Sequence, residues 1–267
     1  MRALIPSLLA ASLGLACALG FRGATAVEAD YSLAEIDGVR INLPDTPVTV
    51  LGAPLSSSLA IEGVWYSVGG SRAVAAENST TPLLNFAREG RFGELTAIIP
   101  TEVRDVVDLE LSEVRLPPDR DLEIWTGLGD VEVAQVEGNI SIDVDAGHVT
   151  VFGGAEGVAI RTGAGDIEIE TTGNTTATTD RGGVVVTQLG AGGNDLVITA
   201  AYGDIEATLR SDANLDLDLV GGDIRVQTRT VSTVTSGSFK REIGNGSVKV
   251  WLSARGGNVT VRLDESL

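Results

Sequence analysis

The sequence predicts an all-β solenoid with coils of about 18–20 residues, and three observations predict it. A unit of glycine, a small polar residue and a β-branched pair recurs through the second half of the chain. From Gly129 to Gly147 to Gly165 it returns every 18 residues, with a half-step of 9. Aromatics make up only 4% of a chain that is 43% hydrophobic, so the core must be built from small and β-branched aliphatics.

Each unit is legible as a strand entered through a corner. In Gly129-Asp130-Val131-Glu132-Val133 the two valines point one way and Glu132 the other, the period-2 signature of a strand with one buried face. The glycine supplies a positive φ or a close backbone approach, and the Asp beside it suits turn geometry. The pattern returns at Gly138-Asn139-Ile140, Gly147-His148-Val149, Gly157-Val158-Ala159, Gly165-Asp166-Ile167 and Gly182-Gly183-Val184. It continues at Gly203-Asp204-Ile205, Gly222-Asp223-Ile224, Gly246-Ser247-Val248 and Gly257-Asn258-Val259. Two strands of about five residues and two corners fill one coil of 18–20 residues. Coils of this size cannot bury an apolar face alone, so they stack. A β-sandwich also has short strands and frequent turns, but it does not require one register to return every 18 residues.

The first half is less regular. Val39, Ile41, Val48 and Val50 alternate as strands do, as do Leu95 to Ile99 and Val107 to Leu111. Between Gly69 and Gly93 the alternation breaks; Ala73-Val74-Ala75-Ala76 reads as one helical turn and Asn78 to Pro82 as loop. Residues 27–112 are expected to form an irregular β region that packs on the solenoid of residues 113–267 and caps its first coil. Covering that edge guards against edge-to-edge aggregation.

The N-terminus reads as a leader over residues 1–26. Arg2 is followed by an apolar stretch shorter than a membrane span, and Ala24-Thr25-Ala26 fits a signal-peptidase site, with Ala29 as a second possibility. Cys17 follows Leu15-Ala16 as in a lipobox, with Gly14 where that motif places a large aliphatic. The expected location is therefore the periplasm, outer envelope or cell surface, with no membrane span after cleavage.

Composition excludes several chemistries. Thirty-seven acidic residues against 19 basic ones give a net charge of −18, unsuited to a phosphate backbone, so no nucleic acid partner is expected. One Cys and one His leave no disulfide framework and no Cys/His metal site. Asp143 with Asp145, and Asp216 with Asp218, are i, i+2 carboxylate pairs that share a face, as a solvated strand face requires. Asp130, Asp166, Asp204 and Asp223 follow equivalent glycines and form a ladder along one corner, with His148 in the same slot. A Ca²⁺ site needs six to eight oxygens, and turn chemistry accounts for these residues without one. Trp65, Tyr66, Trp125, Tyr202 and Trp251 are the aromatics available for sugar stacking, but they are not spaced by one coil. Asn78, Asn139, Asn174, Asn245 and Asn258 stand in N-x-[ST] sequons. No Walker loop or dinucleotide fingerprint is present, and no catalytic, cofactor or metal residue is assigned.

The run Val114-Arg115-Leu116-Pro117-Pro118, then Leu122-Glu123-Ile124-Trp125-Thr126-Gly127-Leu128-Gly129-Asp130-Val131, resembles the bacterial putative-adhesin domain family of unknown function. The repeats that follow, and the ending from Ile243 through Val261, match its closing pattern. The resemblance covers about residues 35 to 263. It implies a right-handed parallel β-helix in an envelope or surface protein, and it carries no catalytic residues. The expected function is a non-enzymatic, adhesin-like surface protein whose partner is an envelope protein or a glycan. A polysaccharide lyase or hydrolase on a β-helix is one alternative and a periplasmic partner-binding module another. Sugar-cleaving β-helices build a cleft from long loops, and only Arg229 to Gly246 is long enough to supply one.

Overall fold

The repeats pair with the strand one coil on, not with their neighbour in sequence. The computed structural model describes residues 20–154, 156–189, 194–210, 214–228 and 232–264. The apolar leader stretch and Cys17 lie outside the described residues.

The chain opens with β1 (Phe21–Ser32), β2 (Gly38–Asn42), β3 (Val48–Gly52) and β4 (Ser58–Gly69). After these come α1 (Arg72–Thr80), β5 (Leu83–Glu89), β6 (Phe92–Ile98), a 3-10 turn at Arg104–Val106 and β7 (Val107–Leu116). The repeats form β8 (Asp121–Leu128), β9 (Val131–Ala134), β10 (Asn139–Ala146), β11 (Val149–Phe152), β12 (Gly157–Ala164) and β13 (Ile167–Thr171). They continue as β14 (Asn174–Arg181), β15 (Val184–Gln188), β16 (Leu196–Tyr202) and β17 (Ile205–Arg210). Last are β18 (Leu215–Gln227), β19 (Ser232–Ile243), β20 (Val248–Ala254) and β21 (Val259–Asp264).

Two parallel ladders result. In the first, β8, β10, β12, β14 and β16 stack in order, and β20 follows β16. In the second, β9, β11, β13, β15 and β17 stack likewise, and β21 follows β17. Inward residues form continuous apolar columns. Val131, Val149, Ile167, Val184, Ile205 and Val259 are in register and fully buried. The architecture is all-β and solenoid-like.

The glycines stand where backbone meets backbone. A Cβ on Gly165 would lie 1.9 Å from the Gly147 carbonyl oxygen, and one on Gly203 would lie 1.9 Å from that of Gly182. Gly165 also has φ +142. The obstacle is main chain, which cannot swing aside as a side-chain tip can.

Both ends depart from simple succession. The 19-residue step from Gly203 to Gly222 suggests that β18 should lie directly on β16 and β17. Instead β20 and β21 occupy that level, and β18 lies beyond them, pairing with β20 through Leu215–Val220 and with β21 through Ile224–Gln227. The physical reason is that Leu215-Leu217-Leu219 and Val248-Val250-Leu252 present equivalent inward patterns, so local sequence does not distinguish the levels. Pairing of β18 with β19 does, because this long antiparallel hairpin covers a terminal edge. The long connection from Arg229 to Gly246 is thus mostly strand β19 and not a cleft-building loop.

At the other end, β2 and β3 lie between β6/β7 and β8/β9. The first half therefore contributes two levels to the stack. Beyond β7 lie β4 and then β1, both antiparallel. The expected single helical turn is longer: α1 starts after Ser71, whose hydroxyl accepts from the Val74 N–H at 3.3 Å, and runs on to Thr80 with Ala75 and Ser79 buried against β1.

Gly165→Ala is expected to lose about 1–3 kcal/mol through backbone strain alone. Gly70→Ala, where nothing lies within 4 Å of the added Cβ, should stay within about 1 kcal/mol of the parent. Urea denaturation of both variants checks the contrast, and equal losses would remove the glycine column as the constraint.

Candidate binding surface

The corner carboxylates are spent on the fold. Asp130 Oδ1 accepts from the His148 N–H at 2.8 Å, Asp166 Oδ1 from the Gly183 N–H at 2.7 Å, and Asp204 Oδ1 from the Asn258 N–H at 2.7 Å. Asn258 Oδ1 in turn accepts from the Asp223 N–H at 3.0 Å. Each bond joins one level to the next, so the side chain satisfies a backbone donor at the corner, where the ladders break. The opposite corner repeats the device with Asp121 on Asn139, Asn174 on Asp195 and Asp195 on Lys249. His148 is exposed and enters the ladder through its backbone N–H. The sequon asparagines are similarly engaged: Asn78 donates to the Val68 carbonyl, Asn139 bonds Asp121, and Asn245 accepts from the Ser247 N–H. Among the described residues no three His, Cys, Asp or Glu side chains converge as a metal site.

The two carboxylate pairs differ in their surroundings. Asp216 and Asp218 face outward on β18, and Lys240 of β19 donates to Asp218 at 2.6 Å. That hydrogen bond holds the Lys240 ammonium above the usual lysine value. Asp143 and Asp145 face outward on β10, beside Trp125 of β8 and Arg161 of β12. These residues line one shallow groove of about 350 Å³ with Asn42 and Pro44. Arg161 Nη1 lies 3.8 Å from Asp143 Oδ2. Gly127 keeps the groove floor low, since a Cβ there would stand 2.7 Å from Asp45 Oδ1.

Trp125 is held in place from its neighbouring row. The Arg40 guanidinium lies 4.9 Å from its ring centroid and 5.2 Å from that of Phe92, a double cation–π contact. Arg40 is itself fixed by Glu123, with Nε donating to Oε2 at 2.8 Å. Trp125 remains 38% exposed. Beside it a second groove of about 290 Å³ runs past Phe92, Glu123, Asn139, Ser141, Ala159 and Thr176.

The first ladder therefore has an unusual outer face for so acidic a chain. One row runs Glu123, Ser141, Ala159, Thr176, Val197, Trp251. The next runs Trp125, Asp143, Arg161, Thr178, Thr199. Trp251 is 39% exposed. Five levels separate the two tryptophans, about 24 Å at the usual strand spacing. In these two rows charge is confined to the Trp125 end, at Glu123, Asp143 and Arg161, and from β14 to β20 they carry hydroxyls and apolar groups. The outer face of the second ladder instead runs Glu132, Thr150, Glu168, Val185, Glu206.

Of the five aromatics singled out in the sequence, Trp65 is core at 2% exposure and Tyr66 lies on β4, away from this face. Tyr202 ends β16 and is 71% exposed. Arg40 and Asn42 carry no sequence signal, because they reach the groove only through insertion of β2 beside β8.

A sequence profile described as Toastrack DUF4097 matches residues 105–262. The chain belongs to the Toastrack DUF4097 family. That match spans most of both ladders and includes Trp125 and Trp251. A comparison with curated proteins gives no match. Among solved structures, this Toastrack chain is similar to a "putative cell adhesion protein" from Clostridium sporogenes. The identity is 11%, the match covers 90% of this chain and 100% of that one, and the TM-score is 0.40. It is also similar to a "putative adhesin" from Bacteroides fragilis, with 14% identity, coverage of 90% and 97%, and a TM-score of 0.38. No helix among the described residues is long and apolar enough to cross a membrane.

Asp166→Ala should cost about 0.5–1.5 kcal/mol, the usual worth of one hydrogen bond. His148→Asn should leave stability unchanged, because the backbone N–H that Asp130 accepts from is retained. Thermal melts of the two variants test the assignment of these corner residues to structure.

Proposed function

We propose that this Toastrack protein is an exported, non-enzymatic, adhesin-like surface protein that binds a glycan chain along the outer face of its first ladder. The stack that presents this face is a right-handed parallel β-helix, the hand that strand–crossover–strand connections in parallel sheets follow. The observation that carries the reading is an outer face with a part-exposed tryptophan near each end and uncharged rows from Thr176 and Thr178 to Trp251. A tryptophan offers a flat apolar surface to the C–H face of a sugar ring, while the hydroxyls of Ser141, Thr176 and Thr178 suit its rim. Asn42, Asp143 and Arg161 add planar hydrogen-bonding groups beside Trp125. The acidic charge elsewhere on the chain disfavours anionic polymers at long range.

One arrangement favours a second reading, a carbohydrate-active enzyme: Asp143, Asp145 and Arg161 share the Trp125 groove. Against it, Asp145 is exposed and the groove is open, whereas a general acid is normally tuned by burial. The test is binding of the purified protein to immobilised cell-envelope glycans, with chain length of the glycan followed over time. Trp125→Ala is expected to weaken binding at least tenfold and Trp251→Ala to weaken it for long chains only, both variants keeping the parent's circular dichroism at the assay temperature. Shortening of the glycan, abolished by Asp143→Asn, would replace the adhesin reading with the enzymatic one. Binding that ignores both tryptophans would move the site elsewhere.

A further inference from the structure

The residues expected to form the leader-cleavage site are built into the fold. Strand β1 pairs with β4 in one unbroken antiparallel register from Phe21↔Gly69 to Ser32↔Ser58. A cut after Ala26 would remove the half of that register from Phe21 to Ala26, and a cut after Ala29 would leave only Asp30, Tyr31 and Ser32 paired. The lost half is also the seat of α1. A Cβ on Gly23 would lie 2.3 Å from the Ala75 carbonyl oxygen, so the helix rests directly on this strand. Two residues on, Thr25 Oγ1 lies 2.8 Å from Ser79 Oγ. Ala75 and Ser79, the helix residues that face inward, are fully buried. The partner strand joins the same contact, Ser67 Oγ donating to the Ala75 carbonyl at 2.5 Å.

Residues 23 and 25, which interleave with the Ala24 and Ala26 of the apparent peptidase site, are small for a structural reason. Gly23 and Thr25 are on the side of β1 that meets α1, and only small side chains admit a helix at that distance. Ala24 and Ala26 are on the opposite side, in register with Tyr66 and Val64. Removing residues up to Ala26 would bare the inner face of α1 and leave the Val64–Gly69 segment of β4 without its partner, an open edge.

We propose that the mature chain retains the whole of β1, so that processing occurs ahead of Phe21 and not at Ala26 or Ala29. This rests on the reading of the protein as exported. The full precursor is expressed in a bacterial host, and the N-terminus of the protein in the exported fraction is read by Edman sequencing and intact mass. A start at or before Phe21 is the expected result. A start at Val27 or Asp30 overturns the proposal and leaves the export reading standing, whereas intact Met1 in the cytoplasm overturns both. Gly23→Ala, introduced in the full precursor and read on the processed protein, gives an independent arm. Its melting temperature should fall by about 4 °C or more, the shift that roughly 1–2 kcal/mol produces in a chain of this size. An unchanged melting temperature means that residue 23 is no longer attached and overturns the proposal. Thr25→Val, a milder change at the same contact, should lower the melting temperature in the same direction if Gly23→Ala yields too little protein.

Discussion

At one corner of every coil the main chain of one level touches the main chain of the next, and the rest of the architecture depends on that approach. Gly129, Gly147, Gly165, Gly182, Gly203 and Gly257 form a column in which each added Cβ would meet backbone of the level below. With no side chain in the way, the Gly147 N–H reaches the Ala164 carbonyl and the Gly165 N–H reaches that of Arg181. The corner then turns in register with its neighbour. The Asp or Asn that follows adds a side-chain acceptor for the next level's N–H, and the β-branched residue after it enters the apolar column. Glycine, Asx and aliphatic are thus three consequences of one contact distance.

This division of labour limits where function can reside. Inward side chains are committed to the core, and the corner carboxylates and amides are committed to neighbouring coils. What remains is the outward row of each strand. On the second ladder that row alternates Glu with Thr and Val, which keeps the surface solvated. On the first, the two rows are charged toward Trp125, at Glu123, Asp143 and Arg161, and uncharged from Thr176 and Thr178 to Trp251. The difference is not required by the fold, since both ladders have the same pleat and the same inward demand. A feature that the scaffold does not need is where binding is best sought.

The ends of the stack follow a different physics from its middle. Middle levels are covered on both sides by like coils, whereas terminal levels would expose a row of unpaired N–H and C=O groups. Here the last level is β18, covered by the long strand β19, and the first second-ladder level is β7, covered by β4 and then β1. In both cases a coil distant in sequence slips inside the covered edge: β20 and β21 at one end, β2 and β3 at the other. Insertion of β2 has a functional result, because it brings Arg40 and Asn42 beside Trp125.

The sequence by itself determined the repeating element. The 18-residue return of Gly129, Gly147 and Gly165, the alternation around Ile167 and Ile169, and the structural role of Asp166 are all local, set by contacts between a residue and the equivalent one a coil away. The order of the levels was decided only by the tertiary structure. Leu215-Leu217-Leu219 and Val248-Val250-Leu252 have the same inward pattern, so either satisfies the level above β16, and only the need to cover a free edge with β19 separates them. The groove beside Trp125 was hidden for the same reason: its parts come from β2, β8, β10 and β12, and no spacing in the chain records that β2 lies next to β8. Thr25 was legible as part of a small-residue stretch but not as part of a helix seat, because α1 meets it from some fifty residues away.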